Sequence, residues 1–136
     1  MLLQPYLFFD GKCEEAIEFY RGAVGAEVKF LMRNKDVPSA PSASTPPGSA
    51  NKVLHATLQV GDSQLMASDG DCRDQPDFKG FSLSLSLKGR AEAERAFAAL
   101  SDGGTVQMPL SKTFFSESFG MLTDRFGVRW MITVPA

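Results

Sequence analysis

Two stretches of strict alternation constrain this chain more than any other feature. From Val53 to Val60, the side chains of Leu54, Ala56, Leu58 and Val60 point one way while His55, Thr57 and Gln59 point the other. From Phe81 to Leu87, the apolar residues Phe81, Leu83, Leu85 and Leu87 alternate with Ser82, Ser84 and Ser86. A period of two is the mark of a strand with one greasy and one polar face; a helix repeats every 3.6 residues and cannot satisfy it. The leucine rows are expected to be core.

The remaining elements fall into order around these two strands. Residues 3 to 9 read as a strand of bulky β-formers, Tyr6, Leu7, Phe8 and Phe9, which Asp10-Gly11 ends with turn chemistry. A helix follows, with Cys13, Ala16, Ile17, Tyr20 and Val24 at three- and four-residue spacing and Glu14, Glu15, Glu18 and Arg21 on the other face. Gly25 suits a left-handed cap just past its end. Ala26 to Met32 predicts a second strand, and Gly61-Asp62 predicts a hairpin from the first alternating strand into Ser63 to Ser68. Asp69-Gly70-Asp71 opens a loop that runs to Gly80.

The second half repeats the order. After the serine-rich strand, Ala91 to Leu100 predicts a helix buried through Ala93, Ala96, Phe97 and Leu100, and Ser101-Asp102-Gly103-Gly104 ends it. Strands are expected at Thr105 to Leu110, Phe119 to Thr123 and Arg129 to Val134, with Asp124-Arg125-Phe126-Gly127 turning between the last two. The fold class is therefore α+β, built from paired βαβββ modules: one over residues 1–69, the other over 80–136. The repeat is one of pattern and not of residue identity.

Lys35 to Lys52 interrupts the first module with Pro38, Pro41, Pro46 and Pro47 among Ser, Ala and Gly, which excludes a regular helix or an inner strand. Neither flank is large enough to fold alone, so residues 35–52 are expected to be a loop within one domain spanning residues 1–136. Hydrophobic residues make up 43% of the chain, enough for a real core, and the net charge of -2 gives no footprint for nucleic acid. No apolar run approaches the ~20 residues that span a bilayer, and the opening Met1 to Tyr6 lacks a signal peptide's basic start and cleavage pattern; a cytoplasmic, membrane-free protein is expected. Cys13 and Cys72 stand apart without a Cys-x-x-Cys or His/Cys cluster, as free thiols would.

Two stretches, Tyr6 to Tyr20 (YLFFDGKCEEAIEFY) and Phe119 to Ile132 (FGMLTDRFGVRWMI), together with His55-Ala56 and Met66 to Asp69, resemble the PhnB-like branch of the glyoxalase/bleomycin-resistance/dioxygenase (vicinal oxygen chelate) superfamily. The resemblance covers nearly all of the chain outside the Pro/Ser-rich loop. It implies that the modules curl into a half-open barrel with a central cavity, into which His55, Thr57, Gln59, Ser82, Ser84 and Ser86 would point. It also implies a homodimer, and in the superfamily's enzymes a divalent metal held by His, Gln and Glu on the first and fourth strands of each module. Carried over to this chain, those positions fall at Pro5 with Gln4 beside it, at Met66 or Ser68, at Ser82 and at Met131. A thioether, a hydroxyl and a proline ring cannot hold a hard divalent ion, so the expectation is no metal site and no cofactor; a divalent metal would have to rely on Gln4 and His55.

Single residues carry two readings each. His55 is the only histidine, either a hydrogen-bonded wall residue or a general acid or base. Asp69 either closes a turn or faces the cavity mouth. Glu117, flanked by Phe114, Phe115 and Phe119, is either a solvated loop carboxylate or an acid made catalytic by burial. Arg129 either meets an anionic ligand from the cavity side, beside Met131 and Thr133, or pairs with Asp124 or another surface acid; Trp130, Ile132 and Val134 read as core. No Gly-x-Gly-x-x-Gly or Gly-Lys-Ser/Thr spacing offers a phosphate cradle, and the single histidine picks no partner for a nucleophilic triad. The function expected is binding of a small organic ligand through His55, Thr57, Gln59, Ser82, Ser84 and Arg129, with His55 and Glu117 the catalytic candidates should there be chemistry. The rivals are a metal-assisted isomerase, lyase or dioxygenase, and an interaction module working through residues 35 to 52.

Overall fold

Strand, helix and three further strands occur twice in the computed structural model, which describes residues 1–37, 48–71, 73 and 75–136. The first set is β1 (Tyr6–Phe8), α1 (Cys13–Val24), β2 (Glu27–Arg33), β3 (Val53–Val60) and β4 (Ser63–Ser68). The second is β5 (Leu83–Ser86), α2 (Arg90–Ser101), β6 (Thr105–Ser111), β7 (Ser116–Thr123) and β8 (Arg129–Pro135). The chain divides into two compact units, Met1–Pro76 and Asp77–Ala136, with the boundary inside the loop that follows Asp69. Pro38, Pro41, Pro46, Pro47 and Cys72 lie outside the described residues.

Each unit is an open four-stranded mixed sheet, ordered β1-β4-β3-β2 in the first and β5-β8-β7-β6 in the second. The first strand of each runs parallel to the last, and the other neighbours are antiparallel. In the first unit α1 buries Cys13, Ala16, Ile17 and Tyr20, and Leu7, Ala56, Leu58, Leu65 and Ala67 are buried on the sheet. Gly25 takes the left-handed conformation expected of it, at φ 68, and lets the chain turn straight into β2. In the second unit α2 packs on β6, β7 and β8, with Ala93, Ala96 and Leu100 buried on the helix and Leu122, Trp130, Ile132 and Val134 on the sheet.

Two departures from simple alternation matter. Leu54, expected in the core, is 42% exposed, while Val53 is buried. The cause is a bulge: one step on β2, from Met32 to Arg33, spans two on β3, from His55 to Val53, so Leu54 is the extra residue and is turned out. Similar slips occur between Val28 and Phe30 on β2 and between Val106 and Met108 on β6, at matching places in the two units. β5 is also shorter than expected. It has β8 as its one neighbour and its ladder begins at Leu83, which leaves Phe81 and Ser82 ahead of the strand.

Candidate functional site

Ladder register decides which side chains share the face of the first sheet opposite the buried leucines. Tyr6 lies opposite Met66 and Phe8 opposite Ser68; Thr57 lies between Met66 and Phe30, and His55 opposite Met32. His55 therefore stands amid aromatic rings contributed by two other strands. The ring centres of Tyr6 and Phe30 lie 5.5 and 5.9 Å from that of the imidazole, and Phe8 is 4.8 Å from Tyr6. Phe8 is 57% and Phe30 48% exposed, so the rings rim the histidine without closing over it.

Both imidazole nitrogens meet hydroxyls. The Tyr6 hydroxyl is 2.9 Å from Nδ1, and the Thr57 hydroxyl is 3.4 Å from Nε2. A hydroxyl can donate or accept, so the row is satisfied in either tautomer of the imidazole. Tyr6, Phe8 and Phe30 were not among the candidates drawn from the sequence. The signal was present in part: Tyr6 and Phe8 are two apart in a strand and so share a face, but Leu7 and Phe9 beside them make the run continuously apolar and hide the alternation.

The other candidates are placed differently. Gln59 shares the face, but its side-chain NH2 donates to the Gly61 carbonyl at 2.7 Å and its oxygen accepts from Gln64 at 2.9 Å, so it fastens the hairpin end. Ser84 and Arg129 lie in the second sheet, Ser84 opposite Met131 and Arg129 opposite Thr123. Arg129 is exposed. The Asp124 carboxylate is buried and accepts from the Phe126 and Val128 amides at 2.8 and 3.1 Å and from the Trp130 indole at 2.9 Å. Ser82 precedes β5. Glu117 lies within β7 and is exposed, while Phe115 packs edge-on against Phe114 and Phe119, each at 5.2 Å. The apolar flanks read from the sequence do not enclose its side chain.

Asp69 is structural. It is 1% exposed, and its two oxygens accept from the Cys13 amide at 2.8 Å and the Val53 amide at 2.6 Å. The first of these caps α1, whose preceding residue Lys12 supplies no side-chain cap. A groove of about 390 Å³ lies near this end of α1, beside Glu14, Glu15, Glu18 and Lys52. Two of these groups are engaged: Glu14 with Arg33, which lowers the Glu14 carboxyl, and Lys52 with the Gly11 carbonyl at 2.8 Å.

The positions to which a superfamily metal would map do not fit one. Gln4 donates to Gln64 at 3.3 Å, Met66 offers a thioether, and the Ser68 hydroxyl accepts from the Gly70 amide at 3.2 Å. His55, the strongest donor nearby, has both nitrogens engaged. Among the described residues no three His, Cys, Asp or Glu side chains gather as metal ligands, and no helix is long and apolar enough to cross a membrane.

Residues 2–133 match the sequence model of the family described as 3-demethylubiquinone-9 3-methyltransferase. The chain is 34% identical to Protein YjdN of Escherichia coli (strain K12) over 142 residues, covering 98% of this chain and 95% of that protein. Its structure is similar to that of protein PA1353 from Pseudomonas aeruginosa, with 43% identity and a TM-score of 0.86 over 99% of this chain and 98% of that one. It is also similar to the PhnB protein from Bacillus cereus, with 28% identity and a TM-score of 0.79 over 98% and 99% of the two chains. A glyoxalase/bleomycin resistance protein from Albidiferax ferrireducens T118 shares the fold at 15% identity, with a TM-score of 0.56 over 90% of this chain and 89% of that one.

Proposed function

We propose that this chain, which belongs to the 3-demethylubiquinone-9 3-methyltransferase family and with it to the PhnB-like branch of the glyoxalase/bleomycin-resistance superfamily, binds a small organic molecule on the His55 face of its first sheet. The observation that supports this is the exposed aromatic rim around a hydrogen-bonded polar centre. Small-molecule sites are mostly apolar with a few placed polar groups, and a sheet face that only met water would not gather Phe8, Phe30, Met32 and Met66 around one imidazole. Tyr6 and Thr57 meet the two imidazole nitrogens, so His55 holds in place the two hydroxyls that the ligand would meet. Ser82, Ser84 and Arg129 lie in the other unit and have no comparable support.

The proposal is binding without an inherited metal, in a cytoplasmic homodimer. It rests for the metal on donor chemistry, since thioethers, hydroxyls and an engaged imidazole are poor partners for a hard cation. The family description names a methyltransferase, and a metal-assisted isomerase, lyase or dioxygenase is the rival within the superfamily; neither reaction is assigned to these residues.

Mass spectrometry of whatever small molecule survives gentle purification tests the reading, with metal analysis of the same sample. The expected result is an organic molecule retained by the native protein and reduced about tenfold in His55→Ala, a loss on the scale of one or two hydrogen bonds, with the fold intact because His55 is only half-buried. Near-stoichiometric divalent metal, or retention unchanged in His55→Ala, would overturn it.

A further inference from the structure

Three methionines stand side by side on the second sheet. Met131 on β8 lies opposite Met121 on β7, and Met121 lies opposite Met108 on β6, with Ser84 of β5 at the end of the row. Side chains directly opposite one another on neighbouring strands stand about 5 Å apart at Cβ, within the span of a methionine's flexible arm. Met108 reaches this row only through a bulge. Val106 lies opposite the buried Leu122, and on an unbroken strand Met108, two residues on, would share that side. One step on β7, from Leu122 to Met121, instead spans two on β6, so Gln107 is the extra residue and Met108 is turned to the face of Met121 and Met131. Met108 is 42% exposed there, and Met121 and Met131 are half-buried, so the row stays within reach of solvent.

Neutral thioethers are poor partners for hard cations and good ones for soft monovalent ions, which bind sulfur and need no carboxylate to offset a second charge. The geometry points to a site for a cuprous ion on this row, with the sulfurs of Met108, Met121 and Met131 as its ligands. Arg129, two residues along β8 from Met131 on the same face, is exposed, so the high dielectric of solvent weakens its repulsion of the ion. The site shares Met131 alone with the positions mapped for the superfamily's hard metal. It uses no residue of the His55 face, so either site can fail without the other.

The methyl signals of methionine, followed in the full chain while silver(I) is added as a redox-stable stand-in for copper(I), test the assignment. Cys72→Ser is carried in every sample and chloride is left out, so that neither competes for silver; Cys13 is buried, and burial pushes its thiol up. The signals of Met108, Met121 and Met131 should shift together and level off at one silver per chain, ahead of the exposed Met1, and zinc at the same concentration should move none of them. Met121→Leu and Met131→Leu, which nearly keep the volume, should each weaken silver binding at least about tenfold by removing one of the donors. Competition with bicinchoninate should give the same order for copper(I). Separate midpoints for the three signals, a response no stronger than that of Met1, an equal response to zinc, or an unchanged affinity in either leucine variant would overturn the site.

Discussion

Asp69 joins three parts of the first unit through one carboxylate. Its oxygens serve the first amide of α1 and the first amide of β3, while its own amide donates to the Val53 carbonyl at 2.9 Å. Removing the side chain leaves two buried N–H groups without acceptors, so Asp69→Ala should lose about 3 kcal/mol in urea unfolding, and Asp69→Asn, which keeps one oxygen, about half of that. Cys13 sits at the same junction. Burial pushes its thiol up, and the carboxylates of Asp69 and Glu14 add to the shift. The folded state therefore holds the proton more tightly than the unfolded state. The corresponding stability is fully present below the ordinary thiol value of 9.0 and is lost as the pH rises above it. Stability measured from pH 8 to 10 should fall more steeply for the native chain than for Cys13→Ala, and iodoacetamide should label Cys13 slowly until the protein unfolds. Equal slopes would contradict the assignment. The sequence left Asp69 divided between turn and cavity because its partners lie 56 and 16 residues away, and no local pattern announces them.

Among the elements, alternation identified β3 to the residue, because a half-buried strand writes its two faces directly into its sequence, and the Gly61-Asp62 turn then located β4. The same rule failed at Leu54, where a bulge set by the partner strand turns one residue out. It also missed the start of β7, which begins at Ser116 because Ser116 and Ser118 pair with Pro135 and Val134. Helix ends were legible through glycine, although Gly104 turned out to do more than stop α2. A Cβ added there would stand 2.1 Å from the Thr123 carbonyl oxygen, a backbone atom that cannot swing aside. Gly104→Ala should cost about 3 kcal/mol or more by forcing β6 away from β7. Gly61→Ala, at φ 56 but in open space, should cost about 1 kcal/mol, so comparing the two melting curves separates steric clash from backbone strain.

For the molecule as a whole, the duplicated strand-helix-strand-strand-strand plan was readable because each half repeats the same switch from a period of two to a period of 3.6 and back. The chemistry of the site was less so. His55 and Thr57 stood out by alternation, but the rings around them come from β1 and β2, and only ladder register brings those strands to the same side. Arg129 and Glu117 had attracted attention for their charge, yet the rows around His55 are built of rings, thioethers and hydroxyls.

The most direct test of that claim is the methyl spectrum of the six methionines, recorded before and after adding the molecule recovered on purification. Met32 lies opposite His55, and Met66 lies opposite both Tyr6 and Thr57. Their two methyl signals are predicted to shift on binding and to stay put in His55→Ala. Shifts confined to Met108, Met121 and Met131 of the second sheet, with Met32 and Met66 unmoved, would contradict the account.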